Sequence, residues 1–190
     1  HYAIEDMGII RCIPGMTIIS PSDAGQALKA FYASWTLNKP VYIRFTGGLN
    51  CPVIYEQEFN YQIGKGIRLR EGNQIQIIAT GSMVDRALKA AKILEEKGIS
   101  VDVVDMHTIK PLDMDILKKD VKLVVSVEEH SIIGGLGSAI AEALSTYSVH
   151  APLLRLGIGD YFSQVGEYEY LLEQHGLSPE HIANTIENNL

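Results

Sequence analysis

Four stretches of the sequence carry side chains that could do chemistry. The first is His1, followed closely by Glu5 and Asp6. An imidazole there can act as acid or base, or donate to a substrate oxygen, near neutral pH; a terminal imidazole without a role fits equally. The second is Arg44, followed by Thr46, Gly47 and Gly48. A guanidinium binds phosphate or carboxylate bidentately, and glycines let the backbone come close. An arginine simply paired with a neighbouring carboxylate has the same signature. The third is His107, two residues after Asp105. It reads as a base with its orienting carboxylate or, more plainly, as an imidazole satisfied in a turn after a strand. The fourth is Glu128, Glu129 and His130, with Gly134, Gly135 and Gly137 just beyond. The triplet offers metal-ligand types, but no second cluster completes a site. A glycine-rich loop entering a helix can cradle phosphate. In the register that starts on Gly135 and Gly137, however, Ile140 stands where the dinucleotide fingerprint needs its third glycine. Tight helix–sheet packing is the better account of these glycines.

Such residues act only if elements place them, and in open α/β sheets the functional positions lie just past the carboxyl ends of strands. Thr17–Ser20 is a short buried-strand candidate between Gly15 and Pro21. Asp23, with Gln26 three residues on, matches a capping box. The helix it opens carries Ala24, Ala27, Leu28, Phe31 and Trp35 at the spacing of an amphipathic helix. Val41–Phe45 reads as the next strand. Residues 1–46 thus end in a β-α-β unit, after a short helical stretch over Ile4–Arg11. Two strands are too few for a stable parallel sheet, so the chain is expected to open inside a domain, at His1, with further strands before it. Residues 47–70, broken by Cys51, Pro52, Gly64 and Gly66, read as a linker with an edge strand near Ile67–Leu69.

From residue 71 the pattern is regular. Strands are expected over Gln74–Ala79, Ser100–Asp105, Val121–Val127 and Pro152–Ile158. Ser82 and Asp85 cap a helix whose apolar face is Val84, Ala87, Leu88, Ala91 and Leu94, and Gly98 ends it. Further helices are expected over Asp113–Lys119, Gly137–Tyr147, Glu169–His175 and Pro179–Asn188. The fold class is α/β: a mainly parallel, three-layer C-terminal domain over 71–190 with helices on both faces, preceded by a partial α/β domain over 1–46.

Composition narrows the partners. The 190 residues are 46% hydrophobic and 21% charged, with net charge −7 and pI near 5.3. That balance argues against nucleic acid or an anionic membrane, which need clustered Lys and Arg, yet one or two local cations can still hold a small anion. No apolar run approaches the roughly 18 residues of a membrane span, and the acidic first residues are not a signal peptide. Cys12 and Cys51 share no metal or redox spacing, which points to a reduced, cytoplasmic setting. No Walker loop, nucleophile elbow or zincin helix is present. Residue chemistry alone ends at part of an α/β enzyme with one candidate anion-binding arginine.

Four stretches add a resemblance. His1 to Asp23 resembles the transketolase-family segment that reads Thr-His, a few residues, Glu-Asp, then Arg-x-Ile-Pro and Pro-x-Asp; here these are Glu5 and Asp6, Arg11 to Pro14, and Pro21 to Asp23. Pro40 to Arg44 resembles its substrate-side strand. Val104 to Asp113 and Val127 to Gly137 resemble its C-terminal domain. The resemblance spans nearly the whole chain in the right order, and is to the C-terminal half of transketolase, including split forms in which that half is a separate subunit. It implies a transferase that uses thiamine diphosphate and Mg2+ at a dimer interface to move a two-carbon ketol unit between sugar phosphates, as in the pentose phosphate pathway. By the resemblance, residues 1–46 are the second half of the pyrimidine-binding domain. His1 resembles the catalytic histidine near the substrate carbonyl and hydroxyl oxygens, and Arg44 the arginine that grips the sugar phosphate. The family's C-terminal domain contacts no thiamine and mainly supports the dimer, so His107, His130 and the Gly134–Gly137 loop are expected to be structural.

The family's diphosphate and Mg2+ motif, its activating glutamate and its ring-stacking aromatics belong before His1. This chain alone is therefore expected to bind no cofactor or metal, to be inactive, and to need an N-terminal transketolase region or subunit as partner. Tyr2 stands where many relatives have Gln. Deoxyxylulose-phosphate synthase and the β subunit of 2-oxoacid dehydrogenases share the two-domain plan, but Met106–Pro111 and Glu128–Ser131 fit transketolase better. From a different class, the chain could be a non-catalytic α/β module that binds a nucleotide or partner through the Gly134–Gly137 loop.

Overall fold

The computed structural model describes residues 3–46 and 51–190. His1, Gly47 and Gly48 thus lie outside the described residues. The chain runs α1 (Asp6–Arg11), β1 (Thr17–Ile19), α2 (Ala24–Trp35) and β2 (Val41–Ile43), then β3 (Ile67–Arg70), β4 (Ile75–Ala79), α3 (Met83–Glu96), β5 (Val101–Asp105) and β6 (Thr108–Lys110). It ends with β7 (Leu123–Ser131), α4 (Leu136–Leu144), β8 (Leu153–Ile158), α5 (Tyr168–Gln174) and α6 (Pro179–Glu187).

Two sheets form, in the orders β2-β1-β6 and β3-β5-β4-β7-β8. The larger sheet is parallel through β5, β4, β7 and β8, and β3 joins its edge antiparallel to β5. Its strands alternate between two cores. Ile75, Ile77, Val101, Val103, Leu123 and Val125 face α3 and α6, whereas Ile78, Val104 and Val124 face α4. Each such aliphatic side chain contributes roughly 1.5–3 kcal/mol when fully buried. The second core also takes in Met7 of α1, Ile18 of β1 and Ile109 of β6. The small sheet is therefore fused to the large one, and β6, paired antiparallel with β1, stitches them together.

Local chemistry explains most boundaries. The Asp23 carboxylate accepts from the Gln26 amide at 2.7 Å and starts α2. Gly98, at φ +78°, ends α3 in a backbone conformation that disfavours other residues.

Three expectations need correction. Asp113–Lys119 is a run of turns, not a helix: the Asp113 carboxylate takes the Gly66 amide at 3.0 Å and the Asp115 amide at 3.2 Å, which ties the segment to β3 instead. β7 does not stop at Val127 but runs on to Ser131, so Glu128, Glu129 and His130 are strand residues. The third concerns α2, which buries Gln26 and Ala30. Its expected apolar face is uncovered, with Leu28 57%, Phe31 52% and Trp35 81% exposed. Among the described residues no element packs over it, since the small sheet is only three strands wide.

Candidate functional site

Arg44 follows β2 directly, and Glu129 sits near the end of β7. Both line a cleft of about 270 Å3, together with Ala3, Ile4, Asp6, Tyr42, Ile43, Phe45 and Thr46. Its floor is an ion pair. Nε of Arg44 donates to both carboxylate oxygens of Asp6, at 3.0 and 2.8 Å, and Nη2 donates to the Ala3 carbonyl at 3.0 Å. The Tyr42 hydroxyl donates to Asp6 Oδ2 at 2.8 Å. Burial pushes the Asp6 carboxyl up, but the hydrogen bonds from Arg44 and Tyr42 outweigh it and hold the group below the usual carboxylate range. The plainer of the two sequence readings of Arg44, a pair with a neighbouring carboxylate, is realised, and Arg44 still borders the cleft. Nη1 is the guanidinium nitrogen that neither Asp6 nor Ala3 engages.

Strand alternation divides the Glu128–His130 triplet. Glu128 is buried beneath the start of α4, where its carboxylate accepts from the Leu136 amide at 2.6 Å and the Gly137 amide at 2.8 Å. Burial pushes its pKa up to about 7, although those two amides pull the other way. The anion site expected of a glycine-rich loop before a helix is thus filled by the protein's own carboxylate. A Cβ on Gly135 would run into Glu128 and lie 2.5 Å from His130 Nδ1, and one on Gly134 would lie 2.8 Å from Gly8 Cα. These glycines serve close packing.

His130 Nδ1 donates to the Ser131 carbonyl at 2.6 Å and Nε2 accepts from the Gly8 amide at 3.2 Å. Burial lowers its pKa, so the ring stays neutral and fastens α1 to β7. Asp6 Oδ1 lies 3.8 Å from the same Nε2.

Glu129 points the other way, to the cleft. Its Oε2 accepts from the Tyr168 hydroxyl at 2.6 Å and from the Ser82 hydroxyl. Ser82 precedes α3, but its side chain makes no capping bond there; the hydroxyl is spent on Glu129.

Asp105 and His107 form no base–orienter pair. Oδ2 of Asp105 accepts from Ser22, Gln26 and Tyr55, each at 2.8 Å. This fully buried carboxyl, pushed up to about 6 by burial, ties α2 and the following connection to the large sheet. His107 is buried against the Tyr61 ring at 4.4 Å between centroids, with Nδ1 2.9 Å from the Thr108 hydroxyl. Burial lowers its pKa to about 4.

Asp6, Tyr42 and Glu129 escaped the sequence reading as cleft residues. Glu129 was detectable by extending the period-2 pattern of β7 past Val127. Tyr42 carried no signal of its own.

A parallel α/β sheet fused to a smaller sheet, with a polar cleft past the strand ends, is the arrangement in which open α/β sheets carry their ligand sites. The chain belongs to the transketolase family: residues 64–182 match the model for the transketolase C-terminal domain. It is 43% identical over 188 residues to a Methanocaldococcus jannaschii protein provisionally named a transketolase C-terminal section, covering 98% of this chain and 59% of that one. It is 38% identical over 189 residues to the 1-deoxy-D-xylulose-5-phosphate synthase of Caldanaerobacter subterraneus subsp. tengcongensis, covering 98% of this chain and 30% of the other. A solved structure described as a split gene transketolase, inactive beta4 tetramer, superposes with a TM-score of 0.87 at 36% identity, covering 99% of this chain and 61% of that one. The chain thus spans less than two thirds of each of these proteins.

Among the described residues no group of three or more His, Cys, Asp and Glu side chains could hold a metal ion. With the α4 amides taken by Glu128, the start of that helix does not fit a Mg2+-bound diphosphate. No described helix is long and apolar enough to cross a membrane.

Proposed function

We propose that this chain is the C-terminal part of a transketolase-type enzyme that transfers a two-carbon ketol unit between sugar phosphates in the cytoplasm. The observation that carries the reading is Arg44, held by Asp6 at the floor of a cleft past the strand ends, in a chain of this family. Arg44 binds the anionic end of the substrate through Nη1. His1, outside the described residues, contacts the substrate near its reacting oxygens. Thiamine diphosphate supplies the carbanion chemistry, and it and Mg2+ belong to a partner, the N-terminal transketolase region or subunit. The uncovered face of α2 and the open edge of β2 are where that partner docks. Two such assemblies form a dimer.

Mixing the chain with an N-terminal transketolase region tests this. Ketol transfer from xylulose 5-phosphate to ribose 5-phosphate is expected from the mixture and from neither part alone. Calorimetric titration of the isolated chain with thiamine diphosphate is expected to give no heat of binding; micromolar affinity in these 190 residues would overturn the partner assignment.

The 38% identity to a deoxyxylulose-phosphate synthase supports a second reading, with pyruvate as donor. Turnover of pyruvate with glyceraldehyde 3-phosphate, and not of xylulose 5-phosphate, would select it. A nucleotide-binding module acting through the Gly134–Gly137 loop is disfavoured, because Glu128 occupies that helix start.

A further inference from the structure

Among the described residues, Glu129 is the one residue of the large sheet that lines the Arg44 cleft. The resemblance implies a C-terminal domain that mainly supports the dimer, yet this carboxylate is held in place at the cleft. Ser82, from the start of α3, and Tyr168, from the start of α5, both donate to Oε2. The Ser82 amide in turn donates to Thr46 Oγ1 at 2.9 Å, which joins the carboxylate's support to the cleft wall beside Arg44. Glu129 is only half-buried. Oε1 is engaged by neither Ser82 nor Tyr168. A carboxylate anchored by one oxygen and open on the other is a pre-organised hydrogen-bond acceptor.

Charge identifies what it accepts from. Asp6 already offsets Arg44, so adding Glu129 leaves the described charged residues of the cleft net negative. A bare small anion gains little there. A ligand that gives hydroxyl hydrogens to Glu129 and an anionic end to Arg44 satisfies both groups. We propose that Glu129 is a substrate-binding residue that accepts hydroxyl hydrogen bonds from the polyhydroxyl chain of a sugar phosphate, and so selects for chains that carry those hydroxyls. This rests on the reading of the Arg44 cleft as the sugar-phosphate site.

The test uses the chain assembled with the N-terminal transketolase region. Ribose 5-phosphate is compared as acceptor with glycolaldehyde phosphate, which keeps aldehyde and phosphate but has no hydroxyl. Glu129→Gln keeps an oxygen for Ser82 and Tyr168 and turns the open position into a donor. It is expected to raise KM for ribose 5-phosphate about tenfold, with kcat and the KM for glycolaldehyde phosphate unchanged. Ser82→Ala and Tyr168→Phe, which loosen the carboxylate without removing it, should raise the same KM by smaller factors; they carry the test if Glu129→Gln does not assemble. Equal effects on both acceptors, or none on ribose 5-phosphate, overturn the proposal. Arg44→Gln separates the two ideas. If it leaves the preference for ribose 5-phosphate over ribose intact, the cleft is not the sugar-phosphate site and both fall. If it lowers that preference while Glu129→Gln changes nothing, only the role of Glu129 falls.

Discussion

Asp6 of the first helix and Arg44 at the end of the second strand form a buried ion pair, side-chain exposures 9% and 8%, in which one nitrogen serves both carboxylate oxygens. Side-on engagement through Nε fixes the plane of the guanidinium. It also couples α1 to β2, and through the Gly8–His130 contact to the large sheet. Removing one member of such a pair leaves the other charged and without its counter-ion in a largely buried site.

Asp6→Ala should therefore destabilise the chain by about 3–5 kcal/mol, and Arg44→Met by a comparable amount. The double replacement should cost less than the sum, since no lone charge remains. Urea unfolding of the four proteins measures the coupling; strict additivity would mean that the pair contributes nothing.

Gly134 sits at φ +81° with its α-carbon against the backbone of Gly8. Gly134→Ala adds a methyl group where backbone, not a flexible side chain, stands in the way. A loss of about 2 kcal/mol or more is expected. Gly15→Ala, at a similar φ but with open space around it, should cost only the conformational part, about 1 kcal/mol. Thermal midpoints of the two variants separate crowding from backbone strain.

Asp105 gives a pH signature. Its folded pKa near 6 exceeds the ordinary 3.8, chiefly through burial, so the folded state takes up this proton before the unfolded chain does. Its contribution to stability is greatest below about pH 4 and is lost as pH rises through about 6. Asp105→Asn keeps an oxygen for Ser22, Gln26 and Tyr55 but cannot titrate. Relative to that variant, the parent chain should gain roughly 2 kcal/mol between pH 7.5 and 4. His107, lowered to about 4 by burial, acts in the opposite sense in both proteins and cancels in the comparison. A constant difference across the range would show that Asp105 is not perturbed.

Trp35 is the chain's single tryptophan and is 81% exposed on the uncovered face of α2. Binding of the N-terminal transketolase region should shift its emission to shorter wavelength. Trp35→Ser should change the stability of the chain alone by no more than about 0.5 kcal/mol while weakening assembly. An unshifted spectrum in an assembled, active complex would place the partner elsewhere.

Local signals in the sequence determined most of the elements. The 3.6-residue period of α3, the Asp23 cap of α2 and the terminating Gly98 are short-range steric and hydrogen-bonding facts, and they need no distant partner to be true. The same holds for Arg44 as the one anion-binding candidate at a strand end. Tertiary structure decided what those elements meet. Whether Arg44 stood alone or paired depended on Asp6, 38 positions away. The fate of Glu128 and Glu129, adjacent in sequence, depended on which side of β7 each faces: one caps a helix, and the other turns to the cleft. The apolar face of α2 shows the limit most plainly. Its periodicity calls for a covering layer, because apolar surface is costly in water, but only packing reveals that the described residues do not supply one. Periodicity is a property of a segment, whereas burial and pairing belong to two surfaces at once, and the second surface is not written beside the first.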